Sequence, residues 1–295
     1  MRFGICLPNF TELATPESID AAADVAERLG WDAVWTTDHV LVDHAAAATD
    51  YRTNYDAIQT LAWVGARHPR LRLGTSVLVV PQRNAVVMAK EIATLDSISG
   101  GRVIAGVGVG WNRNEFGNLG QAARFDVRGT YLSEAIRLWR HLWSGSAEPF
   151  AGRFHPLEDF VFNPLPPQGA ELPIWIGGRT EPALRRAGRL ADGYHSSAAS
   201  PEEYAKRVPI VRAAAETAKR PMPKLSARVR VAFDESVPGA KAGYAMRGSP
   251  EAVAAEVRAF ADLGVEDFAL WFIEPTKERL VAAAERFASE VVPLI

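Results

Sequence analysis

Residues 70–115 read RLRLGTSVLVVPQRNAVVMAKEIATLDSISGGRVIAGVGVGWNRNE. Two β-rich runs, Leu71 to Val80 and Arg102 to Val107, flank a helical segment from about Asn84 to Ile98. Within that segment Val87, Ile92, Leu95 and Ile98 recur at steps of roughly three and four residues, which predicts that they form its buried face. Ser99, Gly100 and Gly101 stop the helix, because glycine enters the left-handed turn without steric cost. A strand, a crossover helix and a second strand of like hydrophobicity make a parallel βαβ unit. Both strands run into small or polar residues, Thr75-Ser76 and Gly106-Val107-Gly108-Val109-Gly110. Small residues at strand ends let a flat ligand approach the backbone, so chemistry is expected there.

The same alternation extends in both directions. Arg2 to Pro8 reads as a strand, followed by a helix that opens at Thr15-Pro16, buries Ile19, Ala22, Val25, Ala26 and Leu29, and stops at Gly30. Trp31 to Thr37 is the next strand; a polar, alanine-rich loop runs to about Asn54, and a helix continues through Arg67. Beyond the central unit, a long loop from Gly108 to Asp126 precedes a helix from about Val127 to Trp143. Proline, glycine and aromatic residues then dominate, so an insertion around residues 144–172, with one short hairpin, is expected. The pattern resumes with strands Pro173 to Ile176, Asp192 to Ser196, Leu225 to Phe233 and Asp267 to Phe272. Helices Glu181 to Leu190, Pro201 to about Lys219, Pro250 to Leu263 and about Thr276 to Ala288 alternate with them. Eight strands and eight helices predict a (β/α)8 barrel spanning residues 1–295 as one domain, preferred over an open doubly wound sheet.

Composition narrows the function classes. Lys plus Arg total 33 against 35 for Asp plus Glu, so no global field draws nucleic acid or an anionic membrane. A single cysteine, Cys6, excludes a disulfide framework and a multi-cysteine metal site; inside the first strand it reads as a small core residue. The strand-like RFGICLP begins at residue 2, which leaves no space for a signal peptide, and no apolar run approaches a membrane span. A cytoplasmic protein is expected.

In a barrel, function gathers in the loops after the strands. The run Gly106 to Gly110 is not a dinucleotide fingerprint, because Trp111-Asn112-Arg113 follows where a helix should open directly. With Ser76-Val77 opposite, it suits a planar ring lying on exposed backbone. Gly177-Gly178-Arg179-Thr180 before a helix offers free amides, a helix dipole and a cation for an anion; an ordinary turn explains it equally well. His39, next to Asp38 at a strand exit, is the candidate proton carrier. His195 stands at an equivalent exit, where Tyr194 and Ser196 also suit a pocket lining. Glu12 and Glu115 are available carboxylates. The cations between Arg207 and Arg230 read as solvated faces, with a rim for a polyanionic tail as the sharper alternative.

VAERLGWDAVWTTDHV (25–40), residues 70–116 and LPIWIGGRTEPALRRAGRLADGYH (172–195) resemble the luciferase-like monooxygenase superfamily, and within it the branch that uses the deazaflavin coenzyme F420. The resemblance implies a (β/α)8 barrel with the ring in its mouth, backed by a non-proline cis peptide at Ser76-Val77. It implies that Asp38 and His39 lie beside the ring, that Gly106-Val107-Gly108 pack along it, and that Gly177 and Gly178 approach the phosphate-bearing tail. It also implies a homodimer or higher homo-oligomer. Sugar-phosphate dehydrogenases of the family carry an acid just after the glycine run, where this chain has Trp111; its nearest carboxylate is Glu115. Trp111 and His195 are therefore expected to line a pocket for a hydrophobic substrate, with His39 and Glu115 as the catalytic pair. Three readings follow: an F420-dependent oxidoreductase; a reduced-FMN monooxygenase served by a separate reductase; and a flavin-binding protein without a reaction.

Overall fold

The computed structural model describes residues 1–48, 51–233 and 243–295. β1 (Arg2–Cys6) leads into α1 (Pro16–Arg28), whose cap Thr15 accepts the Ser18 amide. After β2 (Ala33–Thr36) comes a short α2 (His44–Ala47), inside the stretch expected to be loop, and then α3 (Ala57–Arg67). The run expected as one strand from Leu71 to Val80 is two, β3 (Arg72–Thr75) and β4 (Leu78–Val79), separated by a cis peptide between Ser76 and Val77. α4 (Ala85–Ser99) and β5 (Val103–Gly108) complete the central unit.

The expected loop from Gly108 to Asp126 contains α5 (Arg113–Asn118), because the Asn112 side chain caps it by accepting the Asn114 and Glu115 amides. α6 (Arg124–Trp143) begins a little earlier than expected, and the insertion holds one hairpin, β6 (Phe150–Ala151) with β7 (Pro156–Leu157). β8 (Ile174–Gly177), α7 (Glu181–Leu190), β9 (Gly193–Ser197), α8 (Pro201–Thr217) and β10 (Lys224–Ala232) follow. β11 (Ala245–Arg247) extends the sheet in a stretch read as irregular, and α9 (Pro250–Asp262), β12 (Val265–Phe272) and α10 (Lys277–Arg286) end the alternation.

β1, β2, β3, β5, β8, β9, β10 and β12 pair in that order, all parallel, and β12 returns to β1. The sheet therefore closes into an eight-stranded barrel with helices between its strands. No helix among the described residues is long and apolar enough to cross a membrane.

One expectation about packing fails. On α4 the buried apolar residues are Met88, Ile92 and Leu95 with Ala85, Ala89 and Ala93, whereas Val87 and Ile98 are 55% and 70% exposed. The 88–92–95 row and its alanines let the helix lie close on the sheet, which turns Val87 and Ile98 outward; an apolar residue on the surface is ordinary.

Inside the barrel a separate small core contains Cys6, Ala33, Trp35, Ile104, Trp175 and Ala269. Trp35 and Trp175 lie 5.3 Å apart and supply most of its bulk. The strands make room for them with glycine: a Cβ on Gly74 would come within 2.3 Å of the Trp35 ring, and one on Gly193 within 2.5 Å of the Trp175 ring. The two indoles thus plug the barrel and form the floor of its mouth. The insertion is tied down from outside. Buried Glu134 of α6 accepts the amides of Arg153, Phe154 and His155 and meets His155 Nδ1 at 3.1 Å.

Gly106 and Gly117 give opposite expectations for the same substitution. A Cβ on Gly106 would sit 1.7 Å from the Thr75 carbonyl oxygen, so Gly106→Ala should cost about 3 kcal/mol or more in urea unfolding. Gly117, in α5 with open space around it, should gain about 0.5–1 kcal/mol from Gly117→Ala.

Candidate active site

Above the indoles lies a polar layer built on His195. Its ring stacks on Trp35 at 4.8 Å, and its nitrogens meet Ser76 Oγ and Ser226 Oγ, each at 2.8 Å. A neutral imidazole offers one donor and one acceptor, which the two hydroxyls match. Burial, with the Arg228 cation close by, pushes His195 down to about 3, so the ring stays neutral. Arg228 donates to the Ser76 carbonyl at 3.1 Å and to Thr37 Oγ1 at 2.9 Å, and its guanidinium lies against Phe10 and Trp271. His195 lines the mouth, yet it is only 1% exposed, so it fixes Ser76 from below and offers a substrate almost no surface.

That layer presents Val77 upward. A Cβ on Gly108 would come within 2.6 Å of the Val77 side chain, and one on Gly177 within 3.0 Å, so both glycines give space to Val77. Gly106 and Val107 are buried and lie below the cavity wall. The glycine run thus serves first to admit the protein's own β3–β4 step, and only Gly108 and Gly110 reach the mouth. Asp38 holds the step from the other side: its carboxylate accepts the Val79 amide at 2.8 Å and pairs with both Nη atoms of Arg83. Those bonds occupy the Asp38 side chain.

His39 and Glu115, 76 positions apart in sequence, are brought into contact. His39 Nδ1 lies 2.9 Å from Glu115 Oε2, and both side chains are buried. Glu115 Oε1 also accepts the Val40 amide at 2.7 Å and the Leu41 amide at 3.2 Å. Burial alone would raise the Glu115 carboxyl; the bonds from His39 and Val40, with the Gln82 amide nearby, outweigh it and hold the group at about 2. The Gln82 side chain closes no hydrogen bond of its own. An ionised Glu115 fixes the proton of His39 on Nδ1, which leaves Nε2 for a molecule in the mouth. Tyr51 stands 4.4 Å from the His39 ring and Trp111, 58% exposed, meets it edge-on at 5.9 Å.

These groups enclose a cavity of about 380 Å³. One wall is Val77, Gly108, Val109 and Gly110; another is Gly177, Gly178, Arg179 and Thr180 at the start of α7; His39, Tyr51 and Trp111 complete the rim. Thr180 makes no side-chain cap to α7. Arg128 and Arg179 line this end of the cavity without a carboxylate partner among the described residues, and Arg128 Nε is buried with no hydrogen bond. Arg128 also donates Nη1 to the Phe125 carbonyl and lies on the Phe125 ring, so it is a held cation. A helix N-terminus with two guanidiniums that no described carboxylate neutralises suits an anionic group.

The family model for luciferase-like monooxygenases matches residues 1–247. The chain belongs to that family. A curated relative, the F420-dependent glucose-6-phosphate dehydrogenase of Mycolicibacterium fortuitum, is 34% identical over 218 residues, 71% of this chain and 62% of the relative. The match thus spans less than two thirds of the relative's length. Among solved structures, an F420-dependent secondary alcohol dehydrogenase in complex with an F420-acetone adduct superposes with a TM-score of 0.86 at 19% identity, over 100% of this chain and 99% of the other. The FMN-complexed oxygenating constituent of 3,6-diketocamphane monooxygenase from Pseudomonas putida gives 0.79 at 14% identity, over 100% and 98%. The family's barrel is therefore shared by proteins of both cofactor types.

Against this family background, several cavity residues carried little signal in the sequence. Tyr51 gave none. Arg128 lies just beyond the expected loop. Arg228 was legible in principle, because Ser226, Arg228 and Arg230 alternate with Leu225, Ala227, Val229 and Val231 along β10. A strand with one apolar face and one cationic face, closed in a barrel, must turn its polar face inward when helices cover the other.

The two buried titratable groups predict separate acid windows. Unfolded His195 takes a proton near 6.5 that the folded chain refuses until about 3, so its neutral-form stability is full above 6.5 and is lost as pH falls. The stability advantage of wild type over His195→Gln should shrink progressively below pH 6.5. Glu115, ordinarily near 4.5 and held at about 2, contributes on the order of 3 kcal/mol above 4.5. The advantage of wild type over Glu115→Gln should persist to pH 4.5 and disappear only towards 2, as followed by urea titrations at each pH.

Proposed function

We propose that this chain is an oxidoreductase that moves a hydride between coenzyme F420 and a small organic substrate held in the barrel mouth. The observation that carries this reading is the occurrence, in one cavity, of the Val77 step, an anion-ready α7 start and His39 bonded to Glu115. The residues fit the group: Val77, Gly108 and Gly177 give a flat apolar wall, while Gly178, Arg179, Thr180 and Arg128 suit a phosphate-bearing tail. The names of the relative and of the solved alcohol dehydrogenase support F420 in particular.

When bound, the deazaflavin supplies a carbon that accepts or releases a hydride. The protein's work is orientation and proton movement. Val77 and the glycines beside it would hold the ring, and Trp111 and Tyr51 line the same cavity beside His39. His39, charged or neutral, keeps its Nδ1 proton towards Glu115, so Nε2 takes the substrate's hydroxyl proton in one direction and returns it in the other. Asp38 is a positioning residue that acts through Val79 and Arg83. A homodimer in the cytoplasm belongs to the same proposal, with light scattering as the measure of mass.

The second reading, a reduced-FMN monooxygenase served by a separate reductase, draws support from the FMN-bound structural neighbour. Quenching of the chain's tryptophans separates the two: F420 should bind in the micromolar range and FMN should not. The reverse result replaces the first reading with the second. For the F420-loaded protein with any turned-over substrate, His39→Ala should lower kcat by about 10²–10⁴ while F420 affinity stays within a few-fold. An unchanged kcat removes His39 from the reaction.

A further inference from the structure

Two neighbouring residues of β9 face opposite sides of the sheet. Alternation along the strand sends His195 into the barrel, onto Trp35 and Ser76, and Tyr194 outward beneath α8. Tyr194 pairs across the sheet with Ile176, is fully buried, and packs its ring 5.8 Å from that of Tyr204. It stands behind the cavity wall, which is formed at this point by Gly177, Gly178, Arg179 and Thr180. Its hydroxyl donates to the Gly178 carbonyl at 3.0 Å. Burial pushes the phenol above its ordinary value, so it keeps the proton that this bond requires.

That bond decides the direction of a peptide. The Gly178–Arg179 link is trans, so its carbonyl and its N–H point opposite ways. With the carbonyl turned back to Tyr194, the Arg179 amide faces the cavity side. This amide donates to no other group among the described residues. Gly178 has a φ of +145°, and a Cβ there would come within 2.5 Å of the Ala183 side chain, so the position requires glycine. Glycine leaves its peptide free to turn, and the bond from Tyr194 removes that freedom.

We propose that Tyr194 is a positioning residue for the anion end of the mouth: by holding the Gly178 carbonyl it aims the Arg179 amide at the phosphate of a bound cofactor. The inference rests on the reading of the α7 start as the seat of a phosphate-bearing tail, and adds to it a side chain that never touches the ligand. β9 then sets both ends of the cradle, with His195 under the Val77 step and Tyr194 behind the tail. A tyrosine that served packing alone would affect ligands with and without the tail alike.

The test compares ligands that share a ring and differ in the tail. Dissociation constants of the full-length protein are measured by fluorescence quenching for F420 and for the same chromophore without its phosphate-bearing tail, and likewise for FMN and riboflavin. If the wild type prefers the phosphate-bearing member of neither pair, the reading of the α7 start falls and this inference with it. Given such a preference, Tyr194→Phe should weaken the phosphate-bearing ligand about 10-fold and leave the other within about twofold, since one charge-assisted hydrogen bond is at stake. Equal loss of both ligands, or loss of neither, overturns the inference and leaves the phosphate reading standing. A second measurement needs no variant. In NMR spectra of the wild type the Arg179 amide proton should move downfield with the phosphate-bearing ligand and stay in place with its counterpart. An Arg179 amide indifferent to the phosphate overturns the inference, even where Tyr194→Phe fails to fold.

Discussion

The bulk of two buried indoles governs this molecule. Trp35 and Trp175 fill the barrel's interior because Gly4, Gly74 and Gly193 yield the necessary space, and the stack of His195 on Trp35 transmits that position upward. From His195 the order passes to Ser76, and from Ser76 to the Val77 side chain between Gly108 and Gly177. Each step is a close contact or a saturated hydrogen bond, which leaves little freedom for the mouth to drift. The site is assembled from the inside of the barrel outward.

Much of this was legible in the chain of residues. Strand–helix alternation is a repeated local signal, and closure follows from a count of eight. His39, Glu115 and the glycines at strand ends could be marked because polar or conformationally special residues at strand exits are unusual there. What failed depended on relations between distant residues. Val87 and Ile98 have the spacing of a buried face, yet the alanines beside Met88, Ile92 and Leu95 set how closely α4 lies on the sheet. The glycine run, read as a surface for a ligand, has a second role that its own sequence did not state: Thr75 and Val77 occupy the space at Gly106 and Gly108, while Gly108 and Gly110 still line the cavity. No local pattern states that a residue 31 positions away will fill the gap a glycine leaves. Tyr51 and Arg128 were missed for the same reason: neither has a periodic context that points it into the mouth.

The division of labour among carboxylates follows from their surroundings. Asp38 and Glu115 are both buried beside the cavity, but Asp38 is neutralised by an arginine and an amide while Glu115 is engaged by an imidazole and two amides. The first arrangement holds a carboxylate on a guanidinium and an amide and suits a fixed brace. The second includes a partner whose charge can change during a reaction. Two side chains of the same chemistry thus meet different partners, one a guanidinium and the other an imidazole.

Glu134 has a consequence of a different sort. By gathering three successive amides of the inserted segment, it fastens that segment to the outside of α6 and leaves the strand ends alone. The segment has other ties as well: Gln168 donates to Asp96 and to the Val103 carbonyl, and Phe162 and Leu172 pack into the core. A change confined to the hairpin tip between Phe150 and Leu157 therefore meets the Glu134 anchor, whereas one that reaches Phe162 or Gln168 disturbs the packing outside the barrel.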